Sequence, residues 1–121
     1  MKMKTMTMAA IALTLGGAAH AQGLQRVSDQ ATFEAALAGK QLRLGLFGVA
    51  LTVGTDGTIT GRATGSDVTG TWSWQDGFFC REMMWGDTEI PYDCQSVEIG
   101  GGQVRFVAER GAGDDATFNL R

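Results

Sequence analysis

Most of the chain from Leu42 onward alternates between apolar and polar residues. Successive side chains of a β-strand point to opposite faces, so this alternation predicts strands with one buried face. The clearest run ends in Trp72 and Trp74, with hydroxyl-bearing residues between its apolar positions. The predicted inward positions are Leu42, Leu44 and Leu46; Val49, Leu51 and Val53; Ile59, Gly61 and Ala63; Val68, Gly70, Trp72 and Trp74; Val104, Phe106 and Ala108; and Phe118 and Leu120.

Short turn signals separate these runs and set the predicted architecture. Asp56-Gly57 and Asp76-Gly77 are typical of tight β-hairpins, and we expect Asp56-Gly57 to form a type I′ turn with positive φ angles. Strands that follow one another through tight turns pair in antiparallel order. We therefore predict a mainly β fold, an antiparallel meander of about eight strands that forms a small lipocalin-like barrel or half-barrel.

One short N-terminal helix precedes the strands. Ser28 or Asp29 can cap the first N–H groups of a helix that ends near Gly39, a residue that favours the left-handed conformation at helix ends. Phe33 and Leu37 lie four residues apart and share one face. So narrow an apolar face predicts that the helix docks on a larger element.

Two longer runs, Phe78–Trp85 and Tyr92–Ile99, predict a pair of adjacent strands. We expect the chain to reverse in a loop at Trp85–Glu89. Pro91 then lies at the beginning of the second strand, a position that tolerates a residue without a backbone N–H.

The two cysteines of the chain, Cys80 and Cys94, fall opposite each other if these strands pair so that Met84 faces Ile90. An even number of cysteines is typical of disulfide-bonded exported proteins. We therefore predict a Cys80–Cys94 disulfide that fixes the register of the hairpin. Closing a loop of this length contributes about 3 kcal/mol to the free energy of unfolding in the chain-entropy description.

The first 21 residues have the features of a secretory signal peptide. Lys2 and Lys4 form a positively charged start, an uncharged apolar run follows, and Ala19-His20-Ala21 fits the small-x-small rule for cleavage. The apolar run is shorter than the ~20 residues that cross a bilayer. We expect this segment to be removed and residues 22–121 to form one domain, periplasmic or secreted, with no membrane span.

Charge and histidine content exclude several functional classes. Loss of the two lysines Lys2 and Lys4 lowers the formal net charge from −3 to −5. An acidic chain lacks the basic surface that nucleic-acid binding requires. The single histidine, His20, leaves with the signal peptide, which excludes Ser–His and Cys–His catalytic pairs and imidazole metal ligands. We expect no enzymatic activity, no cofactor and no metal.

Candidate binding residues are Trp72, Trp74, Trp85, Asp87 and Glu89. Trp72 and Trp74 either line a cavity for an apolar or sugar ligand or pack in the core, the commoner role in a small domain. Trp85 lies at a predicted loop, where it either contacts another protein or covers the end of the barrel. Asp87 and Glu89 offer Ca²⁺-binding oxygens, but the spacing of a calcium loop is absent, so ordinary surface acidity is favoured.

The stretches Gly70–Arg81 and Tyr92–Gln95 resemble a group of small exported bacterial proteins with the pattern G-x-W-x-W-x-D-G-x-x-C-R … D-C-Q. The resemblance covers about half of the predicted domain and implies an exported domain of shared architecture. A looser similarity, to lipocalin-like periplasmic inhibitors of proteases or lysozyme, implies a small disulfide-bonded antiparallel barrel.

Some members of that bacterial group carry the label dihydrodipicolinate reductase, which implies an NAD(P)H-dependent enzyme with an N-terminal dinucleotide-binding fold. The one G-x-G-x-x-A match in this chain lies at 111–116, and the five residues after it leave no room for a βαβ unit. We therefore do not expect the reductase activity.

These observations lead to a ranked set of functional hypotheses. The first is an exported, non-enzymatic binding or protein-interaction module stabilised by one disulfide, with the Trp85–Glu89 loop as its contact surface. The second is a carrier of a small apolar ligand in a cavity lined by Trp72 and Trp74, and a periplasmic enzyme inhibitor is a further alternative. An enzyme, whether a reductase or a carboxylate-based hydrolase, ranks last. A cavity of a few hundred Å³ would favour the carrier.

Overall fold

The structure, a computed structural model, describes residues 23–121. The predicted signal peptide lies outside the described residues. The elements are β1 (Gln25–Val27), α1 (Gln30–Leu37), β2 (Leu42–Leu44), a 3₁₀ turn (Gly45–Phe47), β3 (Val49–Val53), β4 (Thr58–Ala63), β5 (Ser66–Gln75), β6 (Phe78–Trp85), β7 (Thr88–Gly100), β8 (Gln103–Val107), the one-turn helix α2 (Ala108–Gly111) and β9 (Asp115–Leu120).

Eight of these strands close into an antiparallel barrel. Each strand from β2 to β9 pairs with the next, and β2 also pairs with β9, which closes the ring. The predicted antiparallel barrel is therefore confirmed. Strand β1 was not predicted from the sequence; it adds to β7 at Val97–Ile99, where β8 pairs with the same residues.

Helix α1 closes one end of the barrel, as its apolar face predicts. Asp29 caps it by accepting a hydrogen bond from the backbone N–H of Thr32 at 2.9 Å. Phe33 and Leu37 are buried in the core, and Gly39 has a positive φ of 71°. We call this the closed end; it also holds the turns at 54–57, 76–77 and 101–102. The open end is the opposite one, with the turns at 45–48, 64–65, 86–87 and 108–114.

The two Asp-Gly turns differ from each other. Asp76 and Gly77 have φ angles of 54° and 87°, so both take the left-handed conformation of a two-residue hairpin turn. At the other turn Gly57 has a φ of 89°, and Asp56 is not among the residues with positive φ. The type I′ prediction for Asp56-Gly57 is wrong because the loop holds three residues, closed by a hydrogen bond from Gly57 N to Gly54 O at 3.1 Å.

Leu46 does not lie on the buried face of a strand. Strand β2 ends at Leu44, and the 3₁₀ turn interrupts the two-residue period before β3 begins. Gly48 follows in the left-handed conformation, with a φ of 63°. The side chain of Leu46 is therefore 90% exposed and the prediction of an inward position is wrong.

The disulfide between Cys80 and Cys94 is present and joins directly paired residues of β6 and β7. This confirms the predicted hairpin and its pairing at the cysteines. The expected pairing of Met84 with Ile90 is wrong by one residue, since Met84 faces Glu89 and Met83 faces Ile90.

A β-bulge causes the shift. Between the pairs Arg81–Asp93 and Met83–Ile90, the two residues Pro91 and Tyr92 lie opposite Glu82 alone. Pro91 is therefore inside β7 rather than at its beginning, at a bulge where no ladder N–H is required. The predicted loop at Trp85–Glu89 shrinks to a two-residue turn, because Trp85 pairs with Thr88.

Candidate ligand cavity and open-end rim

The interior of the barrel is incompletely filled toward the open end. A cavity of about 280 Å³ lies there. The ring centroids of Phe79 and Phe106, which line it, lie 5.2 and 6.4 Å from that of Phe33, so the aromatic core forms its floor. The apolar walls include Leu42, Leu51, Ile59, Met83 and Phe118. Such a space can hold a small apolar molecule out of water.

A single arginine enters this apolar lining. Phe79, Arg81 and Met83 alternate along β6 and all three line the cavity. The Nη1 of Arg81 donates a hydrogen bond to the carbonyl oxygen of Pro91 at 2.8 Å. Burial lowers the pKa of Arg81 from its ordinary value, and the Asp93 carboxylate partly opposes that effect. A guanidinium remains protonated in proteins, so the cavity wall carries a positive charge.

Asp93 is the cross-strand partner of Arg81, but its carboxylate binds other donors. Gln95 Nε2 donates to one carboxylate oxygen of Asp93 at 3.0 Å. The backbone N–H of Glu109 donates to both oxygens at 3.2 Å. Within residues 23–121, the ion pairs at or below 4 Å do not include one between Arg81 and Asp93. The Asp93 carboxylate therefore acts on the Arg81 guanidinium without forming a close ion pair with it.

Acidic residues also line the cavity mouth. Asp114 and Asp115 follow α2 and contribute to the lining. Arg105 donates to Asp115 at 3.0 Å and to Glu98 at 2.9 Å. Those hydrogen bonds, the one to Asp115 first, raise the pKa of Arg105. Asp115 is thus paired with an external cation, while Asp114 is an exposed carboxylate at the entrance.

Helix α2 has an unusual backbone. Glu109 and Arg110 both have a φ of 55°, and two consecutive non-glycine residues in the left-handed region are uncommon. The guanidinium of Arg110 lies over the ring of Phe78, 4.8 Å from its centroid. Glu109, in the left-handed conformation, therefore donates its backbone N–H to Asp93, and Arg110 forms a cation–π contact with Phe78.

The structure places Trp72 and Trp74 in the aromatic core at the closed end. Their ring centroids lie 5.6 and 5.1 Å from that of Phe33. Trp72 donates its indole N–H to Gly54 O at 2.8 Å, and Trp74 donates to Ser28 O at 3.3 Å. Trp72 also borders a second and larger pocket of about 410 Å³ beside α1, which is no more open to solvent than the first. The 280 Å³ cavity is lined by phenylalanines and by neither tryptophan.

The other three predicted residues lie on or near the open-end rim. Trp85 is 39% exposed and donates its indole N–H to Ala63 O at 2.8 Å. Asp87 lies in the two-residue turn between β6 and β7, and Glu89 is exposed on β7. Residues 23–121 hold no group of three or more His, Cys, Asp or Glu side chains arranged for a metal ion.

A more exposed apolar pair lies next to Trp85 and was missed. Leu46 is 90% exposed and Phe47 is 57% exposed. The carbonyl oxygen of Phe47 accepts from Thr64 N at 3.2 Å, so Phe47 and Trp85 bind consecutive residues, Thr64 in the β4–β5 turn and Ala63 at the end of β4. The signal that could have revealed the pair is the sequence Gly-Leu-Phe-Gly, because flanking glycines are typical of a turn. We call Leu46, Phe47 and Trp85 the apolar rim.

Arg81 was also missed as a candidate site residue. The sequence offers only a partial signal: Arg81 alternates with Phe79 and Met83, but the opposite face of the strand, with Phe78, Cys80 and Met84, is equally apolar. A charged residue on an apolar strand face is rarely buried without a partner.

No protein-family model, no curated protein and no solved structure matches the chain. Among residues 23–121, no helix is long and apolar enough to cross a membrane. Any functional conclusion therefore depends on the geometry described above.

Proposed function

We propose that the domain is a non-enzymatic binding module that holds a small, largely apolar ligand inside the barrel. The observation that carries this proposal is the 280 Å³ cavity, because a packed interior would have favoured a surface-interaction role. Its volume lies just below the range of common ligand pockets, roughly 300–1,000 Å³. The aromatic floor is buried and the strands around it are fixed by a closed ring of hydrogen bonds, so the space is preformed.

Methyl chemical shifts test this proposal directly. Octanol and other eight-carbon probes, titrated into labelled protein, are expected to shift the methyl signals of Leu42, Leu51 and Ile59. The substitution Leu51→Phe fills part of the cavity and should weaken binding, whereas Leu46→Phe makes the same change at an exposed site and should not. Absence of shifts across the probe series, or equal binding by both variants, would refute the carrier function.

We also propose that the domain works outside the cytosol. The Cys80–Cys94 disulfide supports this, because disulfides persist in oxidising compartments. The signal-like segment at 1–21 supplies the route. Expression in a bacterium should yield a periplasmic protein. Its intact mass should equal that of a chain that starts at Gln22, less the two hydrogens lost when the disulfide forms. A cytosolic product with an intact Met1 and two free thiols would contradict the proposal.

A second candidate function, contact with another protein, is favoured by the apolar rim. Leu46 and Phe47 expose large side chains beside Trp85, and such residues are enriched in binding surfaces. If the rim is the site, a partner captured from periplasmic extract is lost with Phe47→Ser and with Trp85→Ala, while Leu51→Phe retains it. Retention in both rim variants would remove the rim as the contact surface.

A further inference from the structure

Arg81 adds chemical information about the ligand that the apolar lining does not. The residue lies between Phe79 and Met83 on β6, with the aromatic floor on one side and the open end on the other. Its guanidinium offers five N–H donors, and the hydrogen bond recorded for it within residues 23–121 is the one to Pro91 O. No buried side-chain nitrogen or oxygen lacks a partner among those residues, so the remaining donors face accessible space.

The Asp93 carboxylate offsets part of the positive charge of Arg81, but the two side chains form no ion pair at or below 4 Å, so the guanidinium can still bind a ligand. Asp93 accepts from Gln95 and from the backbone of Glu109, and Asp115 accepts from Arg105. Asp114 and Asp115 both line the mouth and favour a cation; Asp115 shares Arg105 with Glu98, and Asp114 is exposed. Because ionic interactions strengthen out of water, the half-buried guanidinium of Arg81 should outweigh the exposed carboxylate of Asp114.

The volume of the cavity limits the size of the ligand. A volume of about 280 Å³ equals about nine water-sized groups at ~30 Å³ each. The apolar walls run from Arg81 toward Phe106 and Ile59, so a hydrocarbon chain would point to the floor. Its polar group would remain near the open end, next to Arg81.

Resting on the proposed binding function, we propose that the ligand is a small monocarboxylate with a medium-length hydrocarbon chain, whose carboxylate binds the guanidinium of Arg81. A planar guanidinium matches the two oxygens of a carboxylate and forms hydrogen bonds of the strong, charge-assisted class. The chain occupies the apolar cavity between Leu51, Phe79 and Phe118. Specificity for the head group is then set by one side chain and affinity by the cavity.

Calorimetric titration with three ligands of one chain length tests the assignment: octanoate, octanol and octylammonium. We expect octanoate to bind at least about tenfold more tightly than octanol, and octylammonium to bind least. The variant Arg81→Met should bind octanoate and octanol alike, while Arg43→Met, which removes an exposed arginine of β2, should keep the wild-type preference.

A second measurement does not depend on the variants. The carboxyl ¹³C signal of labelled octanoate, followed against pH, should show a lower pKa for the bound acid than for the free acid. Equal binding of all three ligands, a preference for octylammonium, or a raised pKa of the bound carboxyl would overturn the monocarboxylate assignment while leaving the binding function intact. Failure of all three to bind would overturn both.

Discussion

The two ends of the barrel are built differently although they share the same strands. At the closed end, Phe33 of α1 fills the interior and contacts Trp72, Trp74 and Phe79 at centroid distances of 5.1–5.6 Å. At the open end, the same strands enclose a cavity with Arg81 in its wall. One end is packed with aromatic rings, and the other retains space and charge.

This difference shows how one small domain separates stability from binding. Aromatic packing at the closed end supplies buried area and indole hydrogen bonds, which favour folding. The open end accepts features that oppose folding: an unfilled interior, an arginine in an apolar wall and two left-handed residues in α2. Such features are tolerated where a function requires them and where the rest of the fold is rigid.

The largest expected effect is the loss of Phe33. Phe33 is 1% exposed, so Phe33→Ala should lower the free energy of unfolding by about 3–5 kcal/mol, through lost burial and the cavity that remains. Leu46→Ala at the open end removes a side chain that is 90% exposed. It should change the free energy of unfolding by less than about 0.5 kcal/mol. Urea denaturation of the two variants measures both values. If Leu46→Ala were as costly as Phe33→Ala, stability would not be concentrated at the closed end.

A smaller change in the free energy of unfolding, this time an increase, is expected from a substitution in α2. The left-handed conformation costs a non-glycine residue about 1–2 kcal/mol. Glycine relieves that strain, but its greater conformational freedom in the unfolded chain destabilises the fold by about 0.5–1 kcal/mol. Glu109→Gly, at a φ of 55°, should therefore stabilise the fold by roughly 0.5–1 kcal/mol while its N–H still binds Asp93.

The matched control is the same substitution in a right-handed helix. Glu34 lies within α1, where glycine costs about 1 kcal/mol. Glu34→Gly should therefore destabilise the protein, and thermal unfolding should move in opposite directions for the two variants. A loss of stability in both would show that Glu109 is not strained and would remove the backbone part of the contrast between the ends.

The regular parts of this fold follow from local rules. The strands, the helix cap at Asp29 and the pairing of Cys80 with Cys94 depend on side-chain alternation, capping chemistry and hairpin register, all of which are written in nearby residues. The errors arise where one residue breaks a period. The bulge at Pro91 and Tyr92 shifts the β6–β7 register, and the 3₁₀ turn expels Leu46. The glycines around Leu46 and Phe47 indicate a turn and Pro91 is compatible with a bulge, but neither residue pattern fixes where the period breaks.

The candidate site was less predictable than the fold. Trp72 and Trp74 drew attention as large aromatic residues, but which rings fill a barrel and which leave space depends on where α1 docks. That docking is a long-range contact between Phe33 and strands far along the chain. Arg81 was equally hard to assign, because both faces of β6 are largely apolar and each carries one charged residue, Arg81 or Glu82; only the closed barrel shows that the Arg81 face lines the cavity.

The smallest expected effect concerns pH and the helix that closes the barrel. Hydrogen bonds from the backbone N–H and then the hydroxyl of Thr32 lower the pKa of Asp29 from its ordinary value. A lowered pKa means that the cap stabilises α1 fully above the ordinary aspartate pKa, about 3.9. That contribution is lost as the pH falls through the folded-state pKa. The protection factors of the α1 amides against hydrogen exchange should therefore fall in acid before those of the central strand amides.

Two substitutions separate the charge of Asp29 from its capping role. Asp29→Asn keeps an N-cap acceptor without a titrating group, so protection of α1 should become independent of acid in this range. Asp29→Ala removes the acceptor, so protection should be low at every pH. If α1 in Asp29→Asn still loosened in acid as the wild type does, another group would control the closed end. Acid would then not act on the closed end through Asp29, and the expected difference in pH response between the two ends would be wrong.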